Sequence, residues 1–158
     1  MENIILRQFE NRDAKEVYDL HIIGLKQSDT FIDDLKAREN LDQDFKDVKR
    51  TYIDTGGEFL VVTIDEKIVG MGALKKIDTE TAEIKRMRVE PRLQGQGIGK
   101  LILDKLIEKA KMLGYKKLIL DVALKQKVAQ HLYESRNFKE TKHGEIYGQE
   151  TMYYQLKI

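Results

Sequence analysis

The chain has 158 residues, enough for one domain that buries roughly 70% of the surface its unfolded form exposes, so it needs no covalent or metal staple. It contains no cysteine, which excludes disulfides, thiolate chemistry and cysteine-based zinc sites. Its 28 basic and 27 acidic residues are interspersed, with a net charge of +1, and give no footprint for nucleic acid.

The N-terminus, MENIILRQFE, lacks the basic start and long apolar run of a signal peptide. No segment is apolar and long enough to span a bilayer, so the expected compartment is the cytoplasm, without a membrane partner. Neither repeats nor linkers break the chain, and 1–158 reads as a single domain. Residues 3–9 form the first expected strand. Asn11 and Asp13 are candidate N-caps for a helix reaching about Gln27, and Ser28-Asp29-Thr30 breaks it. Leu41, Phe45, Val48 and Tyr52 are spaced as one apolar helical face, ended by Gly56-Gly57.

Residues 58–64 and 67–76 read as a hairpin around Asp65-Glu66, and a third strand follows over 80–89. In that strand the apolar positions switch parity between Ala82, Ile84 and Met87, Val89. A regular strand keeps one parity, so either one extra residue near Lys85-Arg86 forms a β-bulge, or Arg86 sits on a polar stretch of ordinary strand. A helix is expected from Gly97 to about Leu113, burying Ile98, Leu101, Ile102, Leu106, Ala110 and Leu113, with Gly114 as cap. Its lysines read as a solvated face, Lys100 excepted. Then come a buried strand over 117–122 and a helix over 125–136 with Val128, Ala129, Leu132 and Tyr133 near one face. A strand from Phe138, a loop from Gly144 to Gly148 and a strand over 150–157 complete the order β-α-α-β-β-β-α-β-α-β-β. This is an α/β fold with a mixed sheet and helices on both sides.

Between strand and helix lies EPRLQGQGIGK. Gly95, Gly97 and Gly99 leave the backbone bare at a helix N-terminus, where unpaired amides and the helix dipole favour an anion, and Lys100 adds charge. The implied ligand is a phosphate or pyrophosphate. The dinucleotide spacing G-x-G-x-x-G fails, since the third glycine would fall at Lys100. The P-loop spacing fails as well, since it requires glycine at Gln94 and a hydroxyl at Leu101.

What remains is Q-x-x-G-x-G on Gln94, Gly97 and Gly99. With AEIKRMRVEPRLQGQGIGKLILDKLIEKAKMLGYKKLILDV around it and Ala129, Leu132, Tyr133, Glu134 and Phe138 beyond, the chain resembles the GNAT superfamily of N-acetyltransferases over about 58–140. The resemblance implies acetyl-CoA as cosubstrate, with its pyrophosphate on the amides of Gln94, Gly95, Gln96, Gly97, Ile98, Gly99 and Lys100. It implies a pantetheine arm along the bulged strand at Met87, Arg88 and Val89, where an amide near Met87 could polarise the thioester carbonyl. Acetyl would pass directly to a primary amine of a small molecule, peptide or protein. Tyr133 would be the general acid and Glu83 a general base, acting directly or through water. Tyr133 as a packed aromatic and Glu83 as a surface carboxylate are the alternatives. Gln126 stands where the family often has a coenzyme-contacting asparagine. Asn137 replaces a glycine before Phe138 and still tolerates a left-handed backbone. The resemblance leaves a homodimer open, and a non-catalytic acyl-CoA sensor with the same fold is the alternative function. His21, His131 and His143 have no metal-ligand spacing, so no metal is expected. His21, Asp29, Phe31, Tyr147, Tyr153 and Tyr154 fall near the family's acceptor region, although packing or solvation accounts for each.

Overall fold

The computed structural model describes residues 3–158. One seven-stranded sheet runs in the order β1-β2-β3-β4-β5-β7-β6. Its strands are β1 (Ile4–Gln8), β2 (Glu58–Ile64), β3 (Lys67–Lys76), β4 (Thr81–Val89), β5 (Lys117–Ala123), β6 (Lys139–Ile146) and β7 (Gln149–Lys157). The helices are α1 (Ala14–Gln27), α2 (Leu35–Leu41), α3 (Ile98–Met112) and α4 (Lys127–Ser135). All neighbours are antiparallel except β4 and β5.

Alternation along the strands builds two cores. Leu60, Val62, Ala82, Ile84 and Leu118 pack with α3 and α4 on one face. Phe59, Val61, Met71 and Ala73 pack with Val17 and Leu20 of α1 and with Val48 and Tyr52 on the other. Two glycines of β3 set the height of α3. A Cβ at Gly70 would lie 2.9 Å from Ile98 Cγ2, and one at Gly72 2.6 Å from Ile102 Cγ2. The bare backbone thus lets the start of α3, and the glycine loop before it, sit close against the sheet.

Several expectations need correction. The helix expected through Leu41, Phe45, Val48 and Tyr52 is broken into α2, a 3-10 turn Gln43–Lys46 and a π-helical turn Lys49–Ile53. A continuous helix would need the Leu41 carbonyl for Phe45 N–H. Instead that carbonyl accepts from Arg86 (2.6 Å), and Phe45 N–H bonds Asp42. Breaking the helix turns Asp42 and Asp44 inward and leaves Leu41 at the surface. Asn11 does not cap α1. Asp13 ties its entry instead, accepting from Glu10 N–H and from Arg7. In α3, Leu101 is exposed and Leu103 buried, because the contact with β3 centres the buried arc on Ile98, Ile102, Leu106 and Ala110; Leu113, the C-cap beyond the helix, is exposed. Val128 is exposed at the start of α4. Strand β5 buries only Leu118, Leu120 and Val122, on one face. The loop expected over Gly144–Gly148 is a turn at Tyr147-Gly148, since Gly144 still pairs with Thr151.

Candidate active site

Strands β4 and β5 pair in parallel only from Thr81–Lys117 to Glu83–Ile119, then part. Beside the opening, β4 carries the expected bulge. Lys85 pairs with Ala73 and Arg88 with Met71, so two residues on β4 face one on β3, and Arg86 has φ +58°. A left-handed backbone at a long side chain needs external support. Arg86 has it: Nε and Nη2 donate to Asp44 (2.8 and 2.7 Å), and the guanidinium stacks on Phe45. Asp44 also accepts from the buried Tyr52 hydroxyl. Asp42, near Arg86 Nη1 at 3.6 Å, bonds Nε2 of the buried His21 at 3.0 Å. Burial opposes charge on Asp44, yet bonding to Arg86 holds its carboxyl below the usual range.

Past the bulge the backbone changes sides. Glu90 N–H donates to Val69 O of β3, so ladder alternation turns Arg88 toward β3 and the backbones of Met87 and Val89 toward the gap. Their carbonyls accept from side chains there: Met87 O from Arg88 Nη1 (3.0 Å) and Val89 O from Gln94 Nε2 (3.3 Å). This is a strand edge able to pair with an extended ligand.

The gap opens into a cavity of about 620 Å³ lined by the glycine loop, the end of α1 and the exposed side of α4. Gly95 and Gly97 have φ +80° and +91°, and nothing lies within 4 Å of where a Cβ would point. The left-handed turn requires glycine at both positions, and the loop leaves open space over its backbone. Gly97 is the N-cap of α3 and supplies no side chain, so the first amides of α3 remain available for an anion. Gln94, Gly95, Gly97, Gly99 and Lys100 line the cavity. Gln96 is exposed and Ile98 turns into the core, so only their backbone can take part. Gln126 lines the cavity too, and its side chain accepts from Ala123 N–H (3.3 Å) at the start of α4.

A second cavity of about 190 Å³ lies on the α1 side, lined among others by Glu83, Arg88, Asp121 and Thr151. Tyr133 and Arg88 line both cavities and so mark their junction. Burial pushes the Tyr133 phenol well above the ordinary tyrosine value, which keeps it a proton donor at neutral pH. Its ring also packs edge-on against Phe138. Burial raises the Glu83 carboxyl, partly offset by Lys85 and reinforced by Asp121. No salt bridge holds Glu83 among the described residues. Asp121 was not anticipated as a site residue. Its only signal is one acid in the apolar run KLILDV, and strand alternation turns it away from the core, beside Glu83.

His21, Asp29, Phe31, Tyr147, Tyr153 and Tyr154, expected near the acceptor region, line neither cavity. Asp29 bonds Lys125, Phe31 lies under Lys26 and Arg38, Tyr153 under Lys142, and Tyr154 donates to Glu134. Tyr147 is exposed. His21 is a buried network member, while His131 and His143 lie at the surface. Among the described residues no cluster of His, Cys, Asp or Glu could hold a metal, and no helix is long and apolar enough to cross a membrane.

Comparison with known proteins follows the same lines. Residues 11–138 match the family model "Acetyltransferase (GNAT) family". Human N-acetyltransferase 8 is 33% identical over 104 residues, covering 62% of this chain and 46% of the relative. N-acetylaspartate synthetase of Danio rerio is 31% identical over 109 residues, covering 68% and 39%. The chain thus spans less than half the length of these two curated relatives. Among solved structures, a GNAT-family acetyltransferase from Staphylococcus aureus Mu50 superimposes with a TM-score of 0.86 at 21% identity, over 98% of this chain and 99% of that one. The PaiA N-acetyltransferase of Thermoplasma acidophilum, in complex with coenzyme A, gives 0.78 at 18% identity over 96% and 98%. At these identities the structural matches establish the fold.

Proposed function

The chain belongs to the GNAT acetyltransferase family, and from that premise we propose that it moves the acetyl group of acetyl-CoA directly to a primary amine. The observation that carries this reading is the parting of β4 from β5 beside a bare glycine loop, with Tyr133 at the junction of two cavities. The residues present fit the cosubstrate. The amides from Gln94 to Lys100, with the Lys100 charge, would hold the pyrophosphate. The Met87 and Val89 backbone would pair with the pantetheine arm like an added strand. Bound acetyl-CoA supplies an activated acetyl thioester; the protein supplies placement and proton transfer.

Glu83 is the base. Its raised carboxyl, in the smaller cavity, accepts the proton the acceptor ammonium must lose to become the attacking amine, directly or through water. The Met87 N–H, fixed by the bulge, is the donor for the carbonyl oxygen under attack. Tyr133 donates its phenolic proton to the departing thiolate. The test is release of free coenzyme A thiol on mixing the protein with acetyl-CoA and an amine panel containing spermidine, L-aspartate and a short peptide. The chain contributes no thiol background, having no cysteine. Amine-dependent release supports the reading. Tight acetyl-CoA binding with no release for any amine would instead assign the fold to a sensor.

A further inference from the structure

Among the described residues Arg88, at the junction of the two cavities, has no acidic partner; Lys85, on the wall of the smaller cavity, has no salt bridge either. Arg88 Nη1 donates to the neighbouring Met87 carbonyl (3.0 Å) and its Nη2 to His21 Nδ1 (3.3 Å). Its Nε is buried without any partner. Among the described residues it forms no salt bridge, whereas Arg86, two positions away on the same face, has taken Asp44 and approaches Asp42. His21 gives no compensation. An arginine can only donate, so His21 Nδ1 is the acceptor and Nε2–H donates to Asp42; the ring is neutral, and burial lowers its pKa to about 4. The guanidinium is also placed deliberately. It crosses α1 at Gly24, where a Cβ would lie 2.5 Å from Arg88 Cδ, so a bare helix position makes room for it.

A desolvated guanidinium lacking a carboxylate is costly unless a bound group completes it. The smaller cavity also carries two carboxyls, Glu83 and Asp121, with Lys85 and the Asp44-paired Arg86 on the same wall. Its volume of about 190 Å³ is below the range usual for drug-sized ligands, roughly 300–1,000 Å³.

We propose that Arg88 is the specificity-determining residue of the acceptor site and receives a carboxylate of a small zwitterionic or acidic amine, whose ammonium lies toward Glu83 and Asp121. This inference rests on the transferase reading. A planar guanidinium matches a carboxylate through paired N–H donors, which an amide or a methyl group cannot replace. The cosubstrate is the other source of anionic groups. The glycine loop serves the pyrophosphate, but Arg88 and Gly24, which its side chain crosses, also line the larger cavity, so the acetyl-CoA affinity of the Arg88 variants is what separates the two sources.

The experiment compares matched acceptors by thiol release at saturating acetyl-CoA: L-aspartate with L-asparagine, L-leucine with L-leucinamide, and glycine with methylamine. The wild type is expected to turn over at least one carboxylate-bearing member with kcat/KM about tenfold or more above its partner. Arg88→Met should erase that preference by raising the acceptor KM, and Arg88→Lys should keep part of it. The acetyl-CoA-induced thermal shift of each variant reports folding and cosubstrate binding. Should Arg88→Met not fold, the wild-type preference and Arg88→Lys still decide the matter. Equal or better turnover of the uncharged members, or a loss in Arg88→Lys confined to acetyl-CoA affinity, would overturn the proposal while leaving the transferase reading intact. No turnover of any amine by protein that binds acetyl-CoA would remove both.

Discussion

The bulge of β4 depends on one buried ion cluster, and Arg86→Met tests it. The Arg86 side chain is 11% exposed and that of Asp44 8%, so removing the guanidinium leaves a buried carboxylate whose one remaining side-chain hydrogen bond among the described residues is from Tyr52. Breaking such a pair costs about 3–5 kcal/mol. At about 2–4 °C per kcal/mol for a chain of this size, the melting midpoint should fall by roughly 6–20 °C. The loss should depend on pH. In the wild type the Asp44 pKa is depressed, so its contribution is present above the unfolded carboxylate value and is lost as pH falls through the folded one. In Arg86→Met the same carboxyl is pushed up, and its penalty disappears once it is protonated. The gap between the two proteins should therefore be widest near neutrality and narrow toward pH 4. Urea unfolding at both pH values measures it, and Asp44→Asn combined with Arg86→Met should recover about half the loss or more. A difference under 1 kcal/mol at pH 7, or one that does not vary with pH, would refute the cluster as the support of the bulge.

Tyr133→Phe should lower the chemical rate by about 100-fold or more and spare acetyl-CoA affinity, as loss of a general acid does; an unchanged rate in single-turnover kinetics would remove Tyr133 from that role. Glu83 must be ionised to accept a proton, and burial raises its pKa, so the rate should fall with acidification at a pH above that at which an unburied glutamate titrates. Glu83→Gln should abolish that acid limb together with most of the rate, and a limb that persists in the variant belongs to another group.

Local patterns made much of the donor side legible. The parity switch from Ile84 to Met87 is a consequence of strand alternation, and the structure has the bulge at Arg86. The alternate glycines at 95 and 97 reflect a positive φ, which needs no knowledge of the rest of the fold. Two kinds of feature were hidden. The breaks after Leu41 depend on Arg86, 45 residues away, drawing a carbonyl and two carboxylates out of a helical pattern. Helical periodicity weighs apolar spacing and cannot see a partner on another strand. Arg88 is expected from the sequence only as part of the strand along the pantetheine arm; Asp121 and the burial of the Arg88 side chain were hidden because a charged residue within a strand looks solvated until the two strands beside it are known to part. The acceptor side is assembled from α1, β4, β5 and β7, so no single stretch carries its pattern.

Thermal unfolding of the wild type and of Gly97→Glu measures whether the glycine loop and the opened strand edge bind acetyl-CoA. At ligand near a hundred times its dissociation constant, binding adds about 2.7 kcal/mol, which should raise the wild-type midpoint by roughly 5–10 °C. ATP and NAD should not reproduce that shift. In Gly97→Glu a carboxylate would stand over the amides at the start of α3, and acetyl-CoA should leave that variant's midpoint unmoved. A wild type that does not respond to acetyl-CoA, or a variant that responds equally, would contradict the account.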